Sequence, residues 1–399
     1  MKTGCFDEVI NRRGTNCAKY DEMDEKYGKD ILHCGVADMD FRVPKTIREA
    51  CRRVTDHGIY GYTNLPSCYP AVAGEWIRRE YDCRVEDEWI MFSPRINIGL
   101  NMAVETFTKP GDRIIVHTPA YPALTDAVNK HDRIMIESPL EWDGTRWNMN
   151  FDALESEMDP SVKMMILCNP HNPTGRVWEA EELKAVESFC LRHDLFLLSD
   201  EIHADIIREG RRFCSILSLS GLMKKKMIAY QSVTKTFNIP GIMFSNMIIP
   251  DDSMRQAMKR TVDREGFHNP NIFAAAVIEP AYRECGQWKE DLNRCLDENL
   301  SRLSVYLKEY MPLFELREPE GTFLAWIDYR KTGMTEAQIL KFFLEEAKVS
   351  VYEGSHFGKA GQGFIRLNAA VPKRVLEEIL DRIRNAYFLN ISSAETHSP

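Results

Sequence analysis

Short apolar runs recur along the first two thirds of the chain, and polar or turn-forming residues bound each of them. They occupy residues 113–116, 164–168, 195–198 and 227–230, and none alternates apolar with polar positions. A strand that is apolar throughout is buried on both faces, which is typical of a parallel sheet covered by helices. The pattern therefore predicts buried strands of one central sheet.

Helical periodicity appears before and between these runs. Leu183, Val186 and Cys190 share one face of a predicted helix that ends near residue 193, between the second and third runs. This strand–helix–strand order favours a parallel sheet and an α/β fold. Earlier in the chain, Pro44 suits a first helical position, and the apolar residues that follow it lie on one helical face: Ile47, Ala50, Cys51 and Val54.

The pattern changes after about residue 285. Long charged helices follow, with a short strand pattern near residues 322–326 and a last helix carrying Leu376, Ile379, Leu380 and Ile383. We therefore predict a large α/β domain over residues 48–285 with a mostly parallel sheet. A smaller α+β domain is expected from residues 1–47 and 286–390. Residues 391–399 are polar and lack periodicity, so we expect them to be disordered.

Composition narrows the class of protein without naming its chemistry. The 399 residues include 51 basic and 60 acidic side chains, a formal charge of −9 that argues against a nucleic-acid partner. The 11 cysteines contain no Cys-x-x-Cys pair and are typical of reduced thiols. No signal peptide and no membrane span is evident. We expect a cytoplasmic protein without a membrane partner.

Polar residues follow three of the apolar runs, where the carboxyl ends of parallel strands place ligand sites. Asn172 lies in the segment 169–175, Asp200 follows the third run after Ser199, and Lys235 follows the fourth. Each has an ordinary alternative: Asn-Pro pairs form turns, an aspartate caps a helix, and a lysine beside hydroxyls is solvated. Their order and their common position after buried strands favour a shared site.

This constellation resembles the pyridoxal 5′-phosphate (PLP)-dependent aminotransferase superfamily of fold type I, class I/II, across nearly the whole chain. Residues 36–41, 169–178, 199–205 and 235–239 resemble the subgroup of cystathionine β-lyases and cysteine-S-conjugate β-lyases. His203 occupies a place where many aminotransferases carry tyrosine, as it does in the lyase subgroup. A buried structural histidine is the alternative for His203.

The resemblance implies a role for each residue at the cofactor ring. Lys235 would form the imine with PLP and, once displaced by substrate, remove the Cα proton. Asp200 would pair with the ring nitrogen, and Asn172 and His203 would bind the ring oxygen. Tyr121, in the segment 118–121, resembles the tyrosine that stacks on the ring; ordinary core packing is its alternative.

The phosphate and the substrate have their own expected contacts. Ser232 and Thr234 match hydroxyl positions near the phosphate, and the backbone N–H groups of Ile96 and Asn97 would bind it at a helix N-terminus. Tyr62 resembles the tyrosine that reaches the phosphate of the neighbouring subunit, which implies a homodimer with a shared active site.

At the substrate side, Arg366 matches the arginine that pairs with the α-carboxylate, and Ala37 is a further expected contact. Two places depart from the subgroup. The segment Arg95-Ile96-Asn97 replaces a glycine and two small apolar residues, and the Arg95 side chain either contacts the phosphate or points to solvent. Val233 replaces a proline or small residue.

The expected reaction is β-elimination from cystathionine or a cysteine S-conjugate, which releases a thiol, pyruvate and ammonia. Two alternatives remain at this stage: an amino-acid aminotransferase, and a PLP-binding regulatory protein without turnover. The geometry around Lys235 would decide between elimination and transamination, and sequence does not define that geometry.

Overall fold

The structure is a computed structural model that describes residues 6–267 and 269–395. Its α-helices are α1 (Asp21–Tyr27), α2 (Lys45–His57), α3 (Tyr69–Tyr81), α4 (Ile96–Phe107), α5 (Pro122–Asn129), α6 (Phe151–Glu155), α7 (Ala180–Arg192), α8 (Val233–Thr236), α9 (Asp252–Glu265), α10 (Ile272–Glu284), α11 (Gly286–Tyr310), α12 (Glu336–Lys341) and α13 (Lys373–Glu395). A π-helical turn, Phe342–Glu346, continues α12.

The strands are β1 (Leu32–His33), β2 (Ile90–Ser93), β3 (Arg113–Thr118), β4 (Ile134–Pro139), β5 (Glu141–Trp142), β6 (Trp147–Asn148), β7 (Val162–Cys168), β8 (Phe196–Asp200), β9 (Met227–Gln231), β10 (Ser245–Ile248), β11 (Glu315–Arg317), β12 (Leu324–Asp328), β13 (Val349–Ser350), β14 (Tyr352–Glu353) and β15 (Phe364–Asn368).

A seven-stranded sheet in the order β2-β10-β9-β8-β7-β3-β4 forms the centre of the part of the chain that precedes α11. Strand β10 is antiparallel to both of its neighbours, and the other pairings are parallel. Strand β2 therefore runs in the same direction as β9. The apolar runs predicted as buried strands are β3, β7, β8 and β9, so the α/β fold expected from the sequence is confirmed.

The apolar strands are buried because helices cover both faces of the sheet. Successive residues of β7 alternate between two cores: Met165 and Leu167 face one core, and Met164 and Ile166 face the other. Helices α2, α3, α7 and α10 contribute to the first core, and α4, α5 and α9 contribute to the second. Burial on both faces explains why these strands show no polar alternation.

Helix α2 follows the predicted apolar face, with two local differences. Ile47, Ala50 and Val54 are buried, whereas Cys51 is only partly buried at the edge of the core. Pro44 is the N-cap residue rather than the first helical residue. Gly58 ends the helix in the left-handed region with φ 74°, a conformation that glycine adopts without steric cost.

The C-terminal part forms a four-stranded antiparallel sheet in the order β11-β12-β15-β14, packed against α11 and α13. Strand β1 of the N-terminal segment pairs in parallel with β13 of this part. Helix α13 continues through Glu395, into the segment 391–399 for which the sequence predicts disorder, and residues 396–399 lie outside the described residues. Across the described helices, none combines the length and apolar character that a membrane crossing requires.

Candidate active site

Five parallel-running strands end at one edge of the central sheet, and the predicted site residues follow those ends. Strand β2 leads to α4 through Arg95, β3 leads to Tyr121, and β7 leads to the loop that contains Asn172. Strand β8 ends at Asp200, and β9 leads to the short helix that carries Lys235. The direction of the strands therefore collects these segments at one edge.

Lys235 lies in α8, a single turn capped by Ser232, whose side-chain oxygen accepts from the N–H of Thr234 at 3.1 Å. Its side chain is partly buried, and its Nζ donates a hydrogen bond to the carbonyl of Ala37. Burial lowers the pKa of Lys235 to about 8, and nearby Asp38 partly opposes this shift. A larger fraction of neutral amine is present near neutral pH than for an ordinary lysine, which suits imine formation and proton removal.

Asp200 is the last residue of β8 and is buried. Its Oδ1 accepts the backbone N–H of Ile202 at 3.1 Å, and it forms no ion pair with a described residue. Burial raises the pKa of Asp200 to about 6, although that N–H and the charge of Lys235 act in the opposite direction. A buried carboxylate in this state favours a cationic ligand group beside it.

His203 is buried three residues after Asp200, with its ring edge-on to Phe323 at a centroid distance of 5.7 Å. Its Nδ1 has no hydrogen-bond partner within the described chain. Burial, together with the charges of Lys235 and Arg366, lowers the pKa of His203 well below its usual value, so the ring is neutral. A neutral imidazole with an unsatisfied nitrogen suits a hydrogen bond to a ligand.

Arg366 lies in the middle of β15 and so connects the C-terminal four-stranded sheet to the site. It is buried, and it donates from Nη1 to Asn172 Oδ1 and from Nη2 to the carbonyl of Gly35, each at 2.9 Å. The rings of Tyr352 and Phe357 lie 5.1 and 4.7 Å from its guanidinium carbon. Its Nε has no partner in the described structure, and burial lowers its pKa to about 10.

An arginine that is buried without an opposing carboxylate is costly unless a ligand supplies the anion. Among the described residues Arg366 forms hydrogen bonds but no ion pair. This environment therefore suits the carboxylate of a substrate, which a guanidinium binds through two parallel N–H groups.

The N-terminus of α4 supplies free backbone donors. Its first intrahelical bond runs from the N–H of Gly99 to the carbonyl of Arg95 at 3.2 Å, so the N–H groups of Ile96 and Asn97 precede the helical ladder. The Arg95 side chain is exposed and has no hydrogen bond or ion pair to a described residue. Open N–H groups at a helix N-terminus suit an anion such as a phosphate.

The hydroxyls of Ser232 and Thr234 lie beside each other, 2.8 Å apart, and both side chains are buried. Ser232 also donates to the carbonyl of Phe244 at 2.6 Å. The Ser232 hydroxyl therefore donates its proton within the protein. A ligand could donate a hydrogen bond to the Ser232 oxygen, or it could replace the Phe244 carbonyl as the acceptor of that proton.

The two predicted aromatic contacts differ in placement. Tyr121 is the N-cap residue of α5, and its electrostatic neighbours include Asp200 and Arg366. Tyr62 is fully exposed and has no contact with the strand-end residues in the described chain. Within one subunit, the structure brings Tyr121 to the site and leaves Tyr62 outside it.

Sequence reasoning missed several residues that shape the site. Asn368 donates from Nδ2 to the carbonyls of Val36 and Asp38, at 2.7 and 2.6 Å, and so holds the segment that contains Ala37. Its position two residues after Arg366 on a strand was a usable signal, because such residues share a face. Tyr352 and Phe357, which flank the guanidinium, carry no comparable signal.

Comparisons with known proteins agree with this arrangement. The chain matches the family model of aminotransferase class I and II over residues 29–383. It is 36% identical to the cystathionine beta-lyase PatB of Bacillus subtilis (strain 168), over 96% of this chain and 99% of that relative. The structure of cystalysin from Treponema denticola, which contains PLP, superposes with a TM-score of 0.92 at 30% identity and covers 96% of this chain and 98% of cystalysin.

A PLP-bound C–S lyase from Staphylococcus hominis has a TM-score of 0.88 at 32% identity, over 96% of this chain and 97% of that chain. These matches and the strand-end site define a fold type I, PLP-dependent class of enzyme. The chain belongs to the aminotransferase class I and II family. The family and the fold predicted from the sequence are confirmed.

The residues present fit PLP on structural grounds. Asp200 is a buried acid without a cation, His203 offers an unsatisfied Nδ1, and Lys235 supplies an amine with a lowered pKa. The open N–H groups at the start of α4 provide donors of the kind that bind a phosphate. An acid for the ring nitrogen, an amine for the aldehyde and donors for the phosphate are the groups that this cofactor requires.

Proposed function

We propose that the protein is a PLP-dependent C–S β-lyase that converts cystathionine or another cysteine S-conjugate to a thiol, pyruvate and ammonia. The enzyme class is that of the relatives, which include PatB and the two lyase structures. The observation that carries the proposal is the combination of Lys235, Asp200 and Arg366, three ionisable groups whose pKa values all shift towards the neutral form. Such shifts concentrate at functional sites.

When bound, PLP supplies an electron sink for the pair left by the departing Cα proton. Lys235 takes that proton at Nζ, and the carbonyl of Ala37, which accepts from Nζ, orients the amine. The Cβ–S bond then breaks, and the sulfur leaves as a thiolate with the bonding electrons. Hydrolysis of the remaining three-carbon enamine gives pyruvate and ammonia.

Asp200 and its neighbours hold the ring in this proposal. Asp200 would pair with the ring nitrogen and favour its protonated form. Asn172 and the neutral His203 would bind the ring oxygen, and Tyr121 would contact the ring. Because Asn172 Oδ1 already accepts from Arg366 at 2.9 Å, the ring site and the substrate site are joined by a direct hydrogen bond.

The substrate carboxylate binds to Arg366, with Ala37 beside it. The guanidinium offers its free Nε together with an Nη group. The flanking rings of Tyr352 and Phe357 limit its rotation and so fix the direction of these N–H groups. This contact fixes the Cα–H bond relative to Lys235, and so it contributes to rate as well as to affinity.

Phosphate binding is assigned to the backbone N–H groups of Ile96 and Asn97, with the hydroxyls of Ser232 and Thr234 as further contacts. Backbone donors do not depend on the side chains that carry them, so the departures from the subgroup at Arg95 and its neighbours are compatible with phosphate binding. The exposed Arg95 side chain adds positive charge at the same helix end.

We also propose a homodimer in which Tyr62 of each subunit reaches the phosphate of its partner. Full exposure of Tyr62, beside exposed Ile59 and Tyr60, supports this role, because solvent-facing apolar clusters mark interfaces. The free cysteines of the described chain support a reducing compartment such as the cytoplasm. Sedimentation of the holoenzyme and cell fractionation test these two proposals.

Product analysis tests the proposed reaction. The holoenzyme is incubated with cystathionine or an S-alkylcysteine, without a keto acid, and pyruvate and thiol are measured. Equal amounts of both products are expected. Production of a new keto acid only when an amino acceptor is added would show a transaminase instead. PLP binding without turnover of either kind would support a regulatory protein.

A further inference from the structure

A buried carboxylate outside the proposed ring and substrate contacts lies next to the turn that carries Lys235. Asp205 accepts from Trp76 Nε1 at 3.1 Å and from Tyr81 Oη at 2.8 Å, both at Oδ1. Its Oδ2 accepts from the hydroxyl of Thr236 at 2.7 Å. Three donors from two helices therefore converge on one carboxylate, and one of them belongs to the residue after Lys235.

The turn around Lys235 depends on contacts of this kind. Helix α8 has four residues, too few to be stable by its own backbone hydrogen bonds. Ser232, before the lysine, is held by the carbonyl of Phe244 at 2.6 Å, and Thr236, after it, is held by Asp205. Removal of either contact would release one end of the turn.

Asp205 is itself rigidly held. Trp76 and Tyr81 belong to the buried face of α3, and the backbone carbonyl of Asp205 accepts from Asn293 Nδ2 of α11 at 2.9 Å. A carboxylate has only acceptor atoms, so both oxygens of Asp205 accept hydrogen bonds from these three donors. An asparagine in its place would offer one acceptor oxygen and one NH₂ donor, and one of the hydroxyls would have to rotate to accept from that NH₂ group. Burial raises the pKa of Asp205, although nearby Lys289 and the hydroxyls of Thr236 and Tyr81 act in the opposite direction.

We propose that Asp205 is a positioning residue for the lyase reaction, because it fixes the Thr236 hydroxyl and through it the direction of the Lys235 side chain. This inference rests on the proposed function. Asp205 touches neither the substrate nor the cofactor contacts described above. Its effect is on the geometry of proton removal at Nζ, and small errors in such geometry reduce rate strongly.

The test compares holoenzyme variants at Thr236 with a matched variant elsewhere. Thr236→Val removes the hydroxyl and keeps the shape, and Thr236→Ser restores a hydroxyl. Thr261→Val is the control, because Thr261 is also buried in the large domain and its hydroxyl bonds to Thr106 Oγ1 at 2.8 Å. Thermal unfolding, kcat, KM and the visible circular dichroism of bound PLP are measured for each.

We expect Thr236→Val to lower kcat about tenfold with KM changed less than about twofold, because Arg366 still binds the substrate. Its visible circular dichroism should differ from that of the wild type, since that signal reports the orientation of the bound cofactor. Thr236→Ser should recover kcat to within about twofold of the wild-type value. Thr261→Val should lower Tm about as much as Thr236→Val does, but it should change neither kcat nor the circular dichroism signal.

The inference is overturned if Thr236→Val matches Thr261→Val in kcat and circular dichroism. If Thr236→Val does not fold, Asp205→Asn takes its place, and an unchanged kcat and spectrum in that variant overturn the inference equally. A wild-type protein that neither binds PLP nor releases pyruvate and thiol contradicts the proposed function instead, so the two failures are distinguishable.

Discussion

Two neighbouring regions of this molecule bury charges in opposite ways. In the N-terminal charge cluster, Asp40 accepts from Arg12 at 2.6 Å, from Lys19 at 3.0 Å and from the hydroxyl of Tyr20 at 2.7 Å. Arg12 also forms two hydrogen bonds with Asp38, at 2.9 and 2.6 Å. Burial alone would raise the pKa of Asp40, but the surrounding cations outweigh burial and lower it.

The strand-end site lacks such compensation. Burial raises the pKa of Asp200 to about 6, and it lowers the pKa of Lys235 to about 8 and of Arg366 to about 10. Both regions meet at residues 37 and 38, because the Ala37 carbonyl accepts from Lys235 while Asp38 binds Arg12. The difference shows which charges the fold satisfies internally and which it leaves for a ligand.

The largest expected effect follows from removal of Lys235, the buried amine that is proposed to perform the chemistry. Lys235→Ala should remove the visible band of the lysine–PLP imine and lower kcat at least about a thousandfold. Lys19→Ala is the matched change in the charge cluster: it should lower the free energy of unfolding by about 3 kcal/mol and keep the visible band. Absorption spectra and denaturant unfolding measure both. A visible imine band in Lys235→Ala would assign the cofactor to another lysine.

The sequence predicts the strand ends well because their signals are local. Uninterrupted apolar runs mark β3, β7, β8 and β9, and the residues after them are Tyr121, Asn172, Asp200 and Lys235, all at one edge of the sheet. Chain direction alone brings such residues together.

What sequence could not predict depends on contacts between distant segments. Asn368 binds the carbonyls of Val36 and Asp38 across more than three hundred residues of chain, and Tyr352 lies against Arg366 from a separate strand. No local period specifies these pairs. The N-terminal charge cluster was also not anticipated, because its partners are irregularly spaced between Arg12 and Asp40.

Substitution of Arg366 tests the guanidinium that is proposed to bind the substrate carboxylate. Arg366→Lys should lower kcat/KM about a hundredfold, mainly through KM, because an ammonium cannot reproduce two parallel N–H contacts to a carboxylate. Steady-state kinetics with an S-alkylcysteine and with its α-carboxamide provide the check. The wild type should discriminate strongly between them, and the variant should discriminate weakly. An unchanged KM would place the carboxylate elsewhere.

Two Asp→Asn substitutions should have opposite effects on the apoenzyme at pH 7. Asp40→Asn should lower the free energy of unfolding by about 3 kcal/mol, because it leaves buried cations unpaired. Asp200→Asn should raise it by about 3 kcal/mol, because the native state disfavours that charge. The folded pKa of Asp200 is raised from 3.8 to about 6, so its charge destabilises the native state progressively as pH rises through that window.

Denaturant unfolding at pH 7 and below about pH 3 separates the two causes. The gain from Asp200→Asn should fall as the pH drops from about 6 and disappear below about pH 3, where wild-type Asp200 is protonated in both the folded and the unfolded state. With saturating PLP at pH 7, the wild type should become more stable to unfolding than Asp200→Asn. Only the wild-type carboxylate can pair with a protonated ring nitrogen. A loss of apoenzyme stability in Asp200→Asn would mean that the site already satisfies this charge.

The smallest effect concerns the pH dependence of cofactor loading, where the two regions touch. With a pKa of about 8 for Lys235, the rate of imine formation between apoenzyme and PLP should rise about fivefold from pH 7 to pH 8 and level off above about pH 9. Asp38→Asn should move the midpoint to lower pH, because the Asp38 carboxylate raises the pKa of Lys235. Asp126→Asn, at an exposed pair with Lys130, should leave it unchanged. Stopped-flow absorbance measures the rate, and a rate that still rises at pH 10 would contradict a lowered pKa of Lys235.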